Sequence, residues 1–413
     1  MTPLGLLFAL LAAAFLGTIL MGRPGQPRRG TASGSGSALA GFLLGPTLLG
    51  VVTPAVVDLF TPLAQVGLGW LALILGLDYG YVDRRRIAPI RRAAGGLAGA
   101  LALALVAAVA FVILRRLQPT GLPWNQDART WIEAGGIGAA CAETTRLSIR
   151  WVADRIHAEG PLTELLTDIS DADDLVPMLL CGGLFVLEPP AGLRWGAHPA
   201  LLWTGQLVLG AAIGVITALL LAREFRSQSL WGVLFGTSTV AIGLAVRADL
   251  SVLTVAFAMG VGLSHVSAHR QALRALVVPV ENPLRLPALL LAGARIDLAA
   301  VPFLAWIVPA VLAARVASKV LVAACLALLS PAARKAGPWL APGLLACGPT
   351  ALSIGLAFAL RFPGPIGDTV LVCAAASTLL GELVAPASLK RGLRHAGEAA
   401  PQTGSQPMVR LAT

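Results

Sequence analysis

Four carboxylates lie within seven residues of the sequence, immediately before an apolar stretch. They are Asp168, Asp171, Asp173 and Asp174, and the following residues 178–187 are apolar enough to lie in a lipid bilayer. One charged side chain at the centre of a bilayer costs about 2.5–3.5 kcal/mol on insertion scales. The cluster is therefore expected to face protein or water, and to bind protons, cations or a basic partner.

The spacing of these carboxylates predicts which of them act together. Asp171 and Asp174 are three residues apart and share one face of a helix, whereas Asp173 points about 100° away from Asp174. Neighbouring carboxylates repel one another, so at least one is expected to titrate near physiological pH. That property suits a site where protons and a cation compete. Asp168 is expected to face water near the membrane surface.

Two basic residues lie deep in a later apolar segment. Lys319 is roughly ten residues, or about 15 Å, from the nearer end of that segment, which is a long reach for a snorkelling lysine. Arg315 lies one helical turn away on the same face and is deeper still. Basic groups at this depth require carboxylate partners, and the acidic cluster offers them. The alternative, that either residue only holds two helices together, is compatible with transport.

Stepwise reading of the chain finds about thirteen segments long and apolar enough to span a bilayer. The predicted fold class is therefore an all-α polytopic membrane protein with about 13 transmembrane helices. The tenth segment is expected to be broken by Pro279 and Pro283. The segments are residues 3–21, 36–52, 56–80, 94–114, 131–152, 163–187, 200–222, 230–246, 250–267, 276–294, 302–329, 338–360 and 368–387.

Two of these segments are predicted to be discontinuous. The fifth contains glycines followed by the run from Cys141 through Glu143 to Arg146, and the twelfth contains Gly348, Pro349 and Thr350. Irregular backbone survives at membrane depth only where it lines a cavity or is enclosed by protein. One interrupted helix in each half of a chain indicates inverted repeats with a transport site between them.

Polar residues at the first break could serve that site. Thr144 and Thr145 could offer hydroxyl oxygens to a cation. Glu143 and Arg146 are three residues apart, so they are expected to pair with one another and cap the broken ends. Asp78 is expected only to neutralise the arginines at 84–86.

Composition excludes several classes of function. The 413 residues are 56% hydrophobic and 13% charged, whereas soluble domains are about 25% charged. The net charge of +10 does not indicate a nucleic-acid partner, because the arginines lie in short loops and no basic stretch interleaves with aromatic residues. The sequence lacks the motifs of serine hydrolases, zinc proteases and P-loop ATPases. No enzymatic activity, no cofactor and no metal beyond a transported cation are expected.

The distribution of basic residues predicts an orientation. Alternating the thirteen segments from an outside start places most arginines and lysines in the inner loops, which supports a cytoplasmic C-terminus. The protein is expected to be a multi-pass protein of the bacterial inner membrane, with lipid as its surroundings. Residues 396–413 are expected to form a disordered cytoplasmic tail.

Several motifs resemble those of the monovalent cation/proton antiporters, the Kef-type and sodium/proton exchanger-like group. Residues 41–50, GFLLGPTLLG, resemble that family's early segment, and residues 292–298 are similar to its G-x-x-x-D-L stretch. Asp173 and Asp174 match its paired acids in the sixth of thirteen spans. Lys319 falls where electrogenic members carry a lysine, and the two breaks fall where the family's unwound helices cross.

The resemblance implies a fold of inverted repeats that works by elevator-type exchange as a homodimer. It implies dimerisation helices mainly within 1–82 and 230–297, and a mobile core mainly within 94–190 and 302–390. Asp174 would be the main carboxylate for Na⁺ or K⁺ and for the proton, Asp173 its partner, and Lys319 the basic group displaced by the cation. The acidic run is longer than the family's, however, so Asp171 could be the transport acid instead.

Two other functions remain open from the sequence. A symporter for an organic anion on a related fold would use Arg146 and Arg315 as anion partners. An intramembrane aspartyl protease also needs two buried aspartates, but the GxGD motif of those proteases is absent and the chain has more spans than they use.

Overall fold

The computed structural model describes residues 2–20, 35–81, 89–118, 127–188, 198–223, 227–267, 270–301 and 303–399. Every regular element in these ranges is a helix. The α-helices are α1 Pro3–Leu20, α2 Ser35–Leu44, α3 Pro54–Leu59, α4 Thr61–Tyr81, α5 Pro89–Leu117, α6 Ala128–Ala142, α7 Arg146–Ile156, α8 Pro161–Asp173, α9 Leu175–Phe185, α10 Pro199–Arg223, α11 Ser227–Arg247, α12 Val252–Val266, α13 Arg270–Ala294, α14 Leu304–Leu329, α15 Pro331–Lys335, α16 Leu340–Gly343, α17 Pro349–Arg361 and α18 Pro365–His395.

The helices confirm an all-α polytopic architecture. Each of the thirteen segments predicted from the sequence overlaps one helix or two consecutive helices. Within the described ranges, six helical stretches are long and apolar enough to cross a membrane by length and composition alone: Thr61–Gly80, Ala93–Leu117, Pro199–Ala222, Leu230–Arg247, Leu304–Leu329 and Pro365–His395. The chain is therefore a multi-pass membrane protein.

The two predicted breaks are confirmed, and two further segments are also interrupted: the third at Phe60, between α3 and α4, and the sixth at Asp174. The fifth segment divides into α6 and α7, and the twelfth into α16 and α17. The sixth, predicted as one helix, divides at Asp174 into α8 and α9. Pro177 explains the division, because it has no N–H to donate to the carbonyl of Asp173 four residues earlier. The acidic pair thus lies at a helix junction.

The predicted break in the tenth segment is wrong. Helix α13 continues through Pro279 and Pro283 to Ala294. A proline removes one backbone hydrogen bond and favours a kink, but within a bundle the neighbouring helices allow the helix to continue. The glycine-containing breaks differ because their freed backbone groups find new partners at the centre of the protein.

The described helices form two groups by their packing. In the first, here the scaffold group, α4 and α10 pack on α12, and α13 packs on α1, α2 and α4. In the second, here the core group, α5 packs on α6, α8 and α14, and α18 packs on α6 and α17. Helix α10, which the sequence assigned to neither part, belongs to the scaffold group.

The two groups meet along α9 and α17. Helix α9 packs on α10 and α12, while α17 packs on α13 and α4. Three carbonyls of α9 accept hydrogen bonds from side chains of the scaffold group, with distances of 2.9 Å from Trp203 Nε1, from Gln206 Nε2 and from Thr254 Oγ1. The junction at Asp174, where α9 begins, therefore lies at the boundary between the groups.

Candidate functional site

The two broken helices cross at their breaks. The Thr145 backbone N–H donates to the carbonyl oxygen of Ala346 at 3.1 Å. The Thr144 hydroxyl donates to the carbonyl oxygen of Leu344 at 3.4 Å. Gly348 makes this approach possible, because a Cβ at that position would lie only 2.6 Å from Thr145 Cβ. The crossing brings four helix ends together at the centre of the core group.

Basic side chains from α14 bind the carbonyl ends of the breaks. The Arg315 guanidinium donates to the carbonyl oxygens of Cys141, of Glu143 at 2.8 Å and of Leu345 at 3.2 Å. Lys319 Nζ donates to the carbonyl oxygen of Ala142 at 2.5 Å. These carbonyls are left without partners when a helix ends, and they carry partial negative charge. The expectation that Arg315 needs a carboxylate partner is therefore wrong, since backbone dipoles serve instead.

Carboxylates bind the amide ends of the breaks. Glu143 Oε2 accepts a hydrogen bond from the Ala351 N–H in the first turn of α17, at 2.6 Å. Asp173 Oδ2 accepts from the Thr144 N–H, one residue before the cap of α7, at 3.0 Å. Negative groups are stabilising at helix N-termini. The predicted pair between Glu143 and Arg146 is wrong, because Glu143 caps the other broken helix.

Asp173 and Asp174 are both buried at the junction of α8 and α9. Lys319 Nζ lies 4.0 Å from Asp173 Oδ2 and donates to Thr144 Oγ1 at 2.7 Å. The Oδ1 atoms of Asp173 and Asp174 are buried and accept no hydrogen bond from the described residues. Buried carboxylate oxygens normally have a partner, so these two oxygens, together with the likewise buried Glu143 Oε1, are open positions of the site.

A cavity between the two helix groups reaches Asp174. Its wall includes the hydroxyl-bearing residues Thr145, Thr350 and Ser353 of the core group. The scaffold side is formed by α4 and by residues of α12 and α13, including Leu253. Hydroxyl and carboxylate oxygens are the ligands that hard monovalent and divalent cations prefer. Pro349 also lines this cavity, whereas Thr144 contacts Lys319 and Cys141 is buried in the crossing.

Asp171 belongs to an ion-pair network beside this cavity. Asp171 Oδ1 lies 2.9 Å from Arg146 Nη1, and Arg146 Nη2 contacts Asp78 Oδ2. Asp78 Oδ1 lies 2.8 Å from Arg274 Nε. Asp171 and Asp174 line one cavity together with Arg146, consistent with their three-residue spacing. The expectation that Asp78 only neutralises the arginines at 84–86 is wrong, because Asp78 contacts Arg146 and Arg274. Residues 84–86 themselves lie outside the described residues.

Two further contacts were not anticipated from the sequence. Asp168 lies 3.3 Å from Arg91 at the end of α5, near the surface. Glu398 accepts hydrogen bonds from the Leu162 N–H at 2.5 Å and the Thr163 N–H at 2.8 Å, and so caps α8. The disordered tail was predicted to start at residue 396, but Glu398 is ordered by these contacts, so the predicted start is too early in the sequence. Residues 400–413 lie outside the described residues. One sequence signal could have indicated this cap. Gly160, which precedes α8, has no side chain to cap the helix, so a group from elsewhere in the chain is needed.

The structure was compared with solved structures. It matches the sodium proton antiporter MjNhaP1 from Methanocaldococcus jannaschii at pH 8 with a TM-score of 0.68 and 15% identity, over 96% of this chain and 99% of that one. A second structure of that antiporter, from electron microscopy, gives 0.63 and 15% identity over 97% and 100%. The chain has the fold of a sodium/proton antiporter.

No protein-family model and no curated protein matches the sequence. The likeness to MjNhaP1 covers almost the whole length of both chains, so the sodium/proton antiporter fold accounts for both helix groups together. At this level of identity the likeness concerns the fold. The roles of individual residues in this chain rest on the contacts described above.

Proposed function

We propose that the protein is a secondary transporter that exchanges a monovalent cation, Na⁺ or K⁺, for protons. The observation that carries this proposal is the balance of charge at the helix crossing. Three carboxylates, Glu143, Asp173 and Asp174, are buried there with only two basic groups, Arg315 and Lys319. With all five groups charged, one negative charge is uncompensated. An unpaired buried charge is costly, so one proton or one monovalent cation is needed to neutralise it.

The geometry supports Asp174 as the group that binds either species. Asp173 already contacts Lys319 and the Thr144 N–H, whereas Asp174 has an unpartnered oxygen and lines the cavity. A deprotonated Asp174 would bind the cation with help from Thr145 and other hydroxyls of the cavity wall. Protonation of Asp174 would release the cation. Because one oxygen site serves both, cation and proton exclude one another, which is the requirement for exchange.

The remaining assignments follow the same proposal. The scaffold group would hold two copies together as a homodimer in the inner membrane, and the core group would move within each copy. The C-terminus would lie in the cytoplasm. Asp173 would be the partner carboxylate, and Lys319 would compete with the cation for it. The network around Asp171 is balanced by its own arginines, which favours Asp174 over Asp171 as the transport acid.

Dissipation of a pH gradient in everted membrane vesicles tests the exchange. Addition of Na⁺, K⁺ or Li⁺ should dissipate the gradient in vesicles that contain the wild-type protein. Asp174→Asn should abolish the signal, because the neutral asparagine amide neither takes up and releases a proton nor supplies a negative charge for the cation. Asp154→Asn is the matched control, because Asp154 is exposed on α7 and away from the crossing. A wild type that responds to none of these cations, or a fully active Asp174→Asn variant, contradicts the proposal.

An organic-anion symporter is the second candidate, because Arg146 and Arg285 line the same cavity. Both arginines already have carboxylate partners: Arg285 Nη1 lies 2.6 Å from Glu281 Oε1, and Arg146 contacts two aspartates. Neither offers an unbalanced positive charge to an anion. Uptake of a labelled carboxylate without cation-dependent proton movement would favour this candidate over the exchange.

A further inference from the structure

Four charged residues form an alternating row at one end of the cavity. The order is Asp171, Arg146, Asp78 and Arg274, with each residue in contact with the next. Asp171 and Arg146 belong to the core group, on α8 and α7. Asp78 and Arg274 belong to the scaffold group, on α4 and α13. The row therefore crosses the boundary between the groups once, at the contact between Arg146 and Asp78.

This contact is distinct from the other ion pairs in the described part of the chain. The following pairs each lie within one group: Arg91 with Glu164 and Asp168, Arg146 with Asp171, Lys319 with Asp173, Arg274 with Asp78, Arg285 with Glu281, and Arg295 with Asp58. Arg146 is also the first residue of α7, directly after the break that carries Thr144 and Thr145. A shift of the crossing relative to α4 must therefore move Arg146 away from Asp78.

The order of charges in the row means that each charged group keeps one partner when the contact between Arg146 and Asp78 opens. When Arg146 leaves Asp78, Arg146 keeps Asp171 and Asp78 keeps Arg274. A buried ion pair normally resists opening, because removing one partner leaves an uncompensated charge. Here that penalty is avoided, and only the shared contact is lost. The Arg274 side chain is also 37% exposed, so water can solvate that end of the row.

We propose that the Arg146–Asp78 ion pair is a latch between the two helix groups that opens and closes once in each transport cycle. The proposal rests on the exchange function proposed above and adds the contact that controls movement of the core group. Asp171 is a positioning residue in this account: it holds Arg146 while the latch is open. The latch lies where α4 ends and α7 begins, beside the last turn of α8 that leads to Asp174, so it controls access to Asp174 from that side.

Removal of the two carboxylates beside Arg146 should have opposite effects on turnover. In Asp171→Asn, Arg146 would lose the carboxylate that it contacts after leaving Asp78, so opening becomes harder and turnover should fall at least about tenfold. In Asp78→Asn the latch is absent, so turnover should equal or exceed that of wild type. The apparent KM for the cation should stay within about twofold of wild type in both, because neither residue binds the ion. Asp168→Asn, one helical turn before Asp171 and paired with Arg91, is the matched control.

Covalent closure of the latch provides an independent test. Asp78→Cys with Arg146→Cys, in a chain whose exposed Cys325 is replaced by serine, should exchange until a short bis-methanethiosulfonate reagent links the two positions. Each cysteine thiolate forms a disulfide with the reagent and releases methanesulfinate. Linking should stop exchange, and reduction should restore it. Asp58→Cys with Arg295→Cys is the control, because that ion pair lies within the scaffold group. Linking there should leave exchange unchanged.

The outcomes separate this proposal from the exchange function. A wild-type protein that exchanges no cation refutes the proposed function before any variant is compared. If wild type exchanges, an Asp78→Asn variant as slow as Asp171→Asn refutes the latch alone. The latch is also refuted if the linked Asp78/Arg146 pair exchanges at the unlinked rate, or if the unlinked double-cysteine protein has lost exchange.

Discussion

The Arg315 guanidinium binds carbonyl oxygens from both broken helices and so joins them at the crossing. The oxygens belong to Cys141, Glu143 and Leu345. All three residues are buried. Arginine suits the position because its planar group has five N–H donors in a fixed arrangement.

Arg315→Met is therefore expected to destabilise the protein. Each buried carbonyl that loses its donor costs about 1–3 kcal/mol, so the midpoint of thermal unfolding in detergent should fall by at least about 5 °C. Arg361→Met is the control, because Arg361 makes one hydrogen bond to the Glu188 carbonyl at the surface. Equal midpoints for the two variants would show that Arg315 does not hold the crossing together.

Residue types gave a partial prediction of this site. The buried aspartates, Lys319 and the threonines of the first break were found from charge at membrane depth, and the structure places them together. The partners of Glu143, Arg146 and Arg315 were predicted wrongly. Helical spacing relates residues three or four apart, whereas these side chains contact residues 25 or more positions away, such as Asp171, Asp78 or Ala351. Such partners depend on how the broken helices cross.

At the scale of elements, close packing of α5 on α8 fixes the position of the acidic pair. Gly99 of α5 lies against Asp173, so a Cβ at position 99 would be 3.1 Å from Asp173 Cα and 2.9 Å from its carbonyl oxygen. The contacting atoms are backbone and cannot move independently of α8. A larger residue at position 99 must therefore push the junction of α8 and α9 away from α5.

Gly99→Ala should consequently weaken both stability and cation affinity. Overpacking of this kind costs about 1–3 kcal/mol, and displacement of Asp173 should raise the apparent KM for the cation. Gly96→Ala on the same helix is the matched control, because a Cβ there meets no atom within 4 Å. That control should gain up to about 1 kcal/mol, since alanine loses less backbone entropy in a helix. Thermal unfolding and vesicle exchange, measured on both variants, decide the prediction; equal effects would contradict it.

The elements themselves were largely predictable from hydropathy, glycine and proline. Both central breaks were found because Gly348 and the glycines of α6 interrupt otherwise apolar segments. Proline was the less reliable signal: Pro279 and Pro283 do not end α13, whereas Pro177 helps to divide α8 from α9. The difference depends on whether neighbouring groups replace the lost backbone hydrogen bond, which a single segment does not reveal.

At the scale of the whole molecule, the antiporter fold joins two groups of helices around the cavity that reaches Asp174, where we propose that cation and proton share one site. Competition at Asp174 fixes how exchange should respond to pH. As pH falls, the carboxylate is increasingly protonated and less of it is free to bind the cation. The apparent KM for the cation should therefore rise as pH falls, by up to about tenfold per pH unit for one proton, and should level off at high pH.

Initial rates of exchange at several cation concentrations and pH values measure this dependence. The Asp168→Asn variant should follow the wild-type curve, since Asp168 is paired with Arg91 outside the crossing. An apparent KM that does not change with pH would mean that cation and proton occupy separate sites.

The most direct test of the central claim is proton release on cation binding by the purified protein. Na⁺ or K⁺ is added to weakly buffered protein, and a pH-indicator dye reports free protons, with choline chloride as the control salt. The account predicts about one proton released for each cation bound by wild type, and no release by Asp174→Asn. Binding of the cation by wild type without any proton release would contradict a shared site.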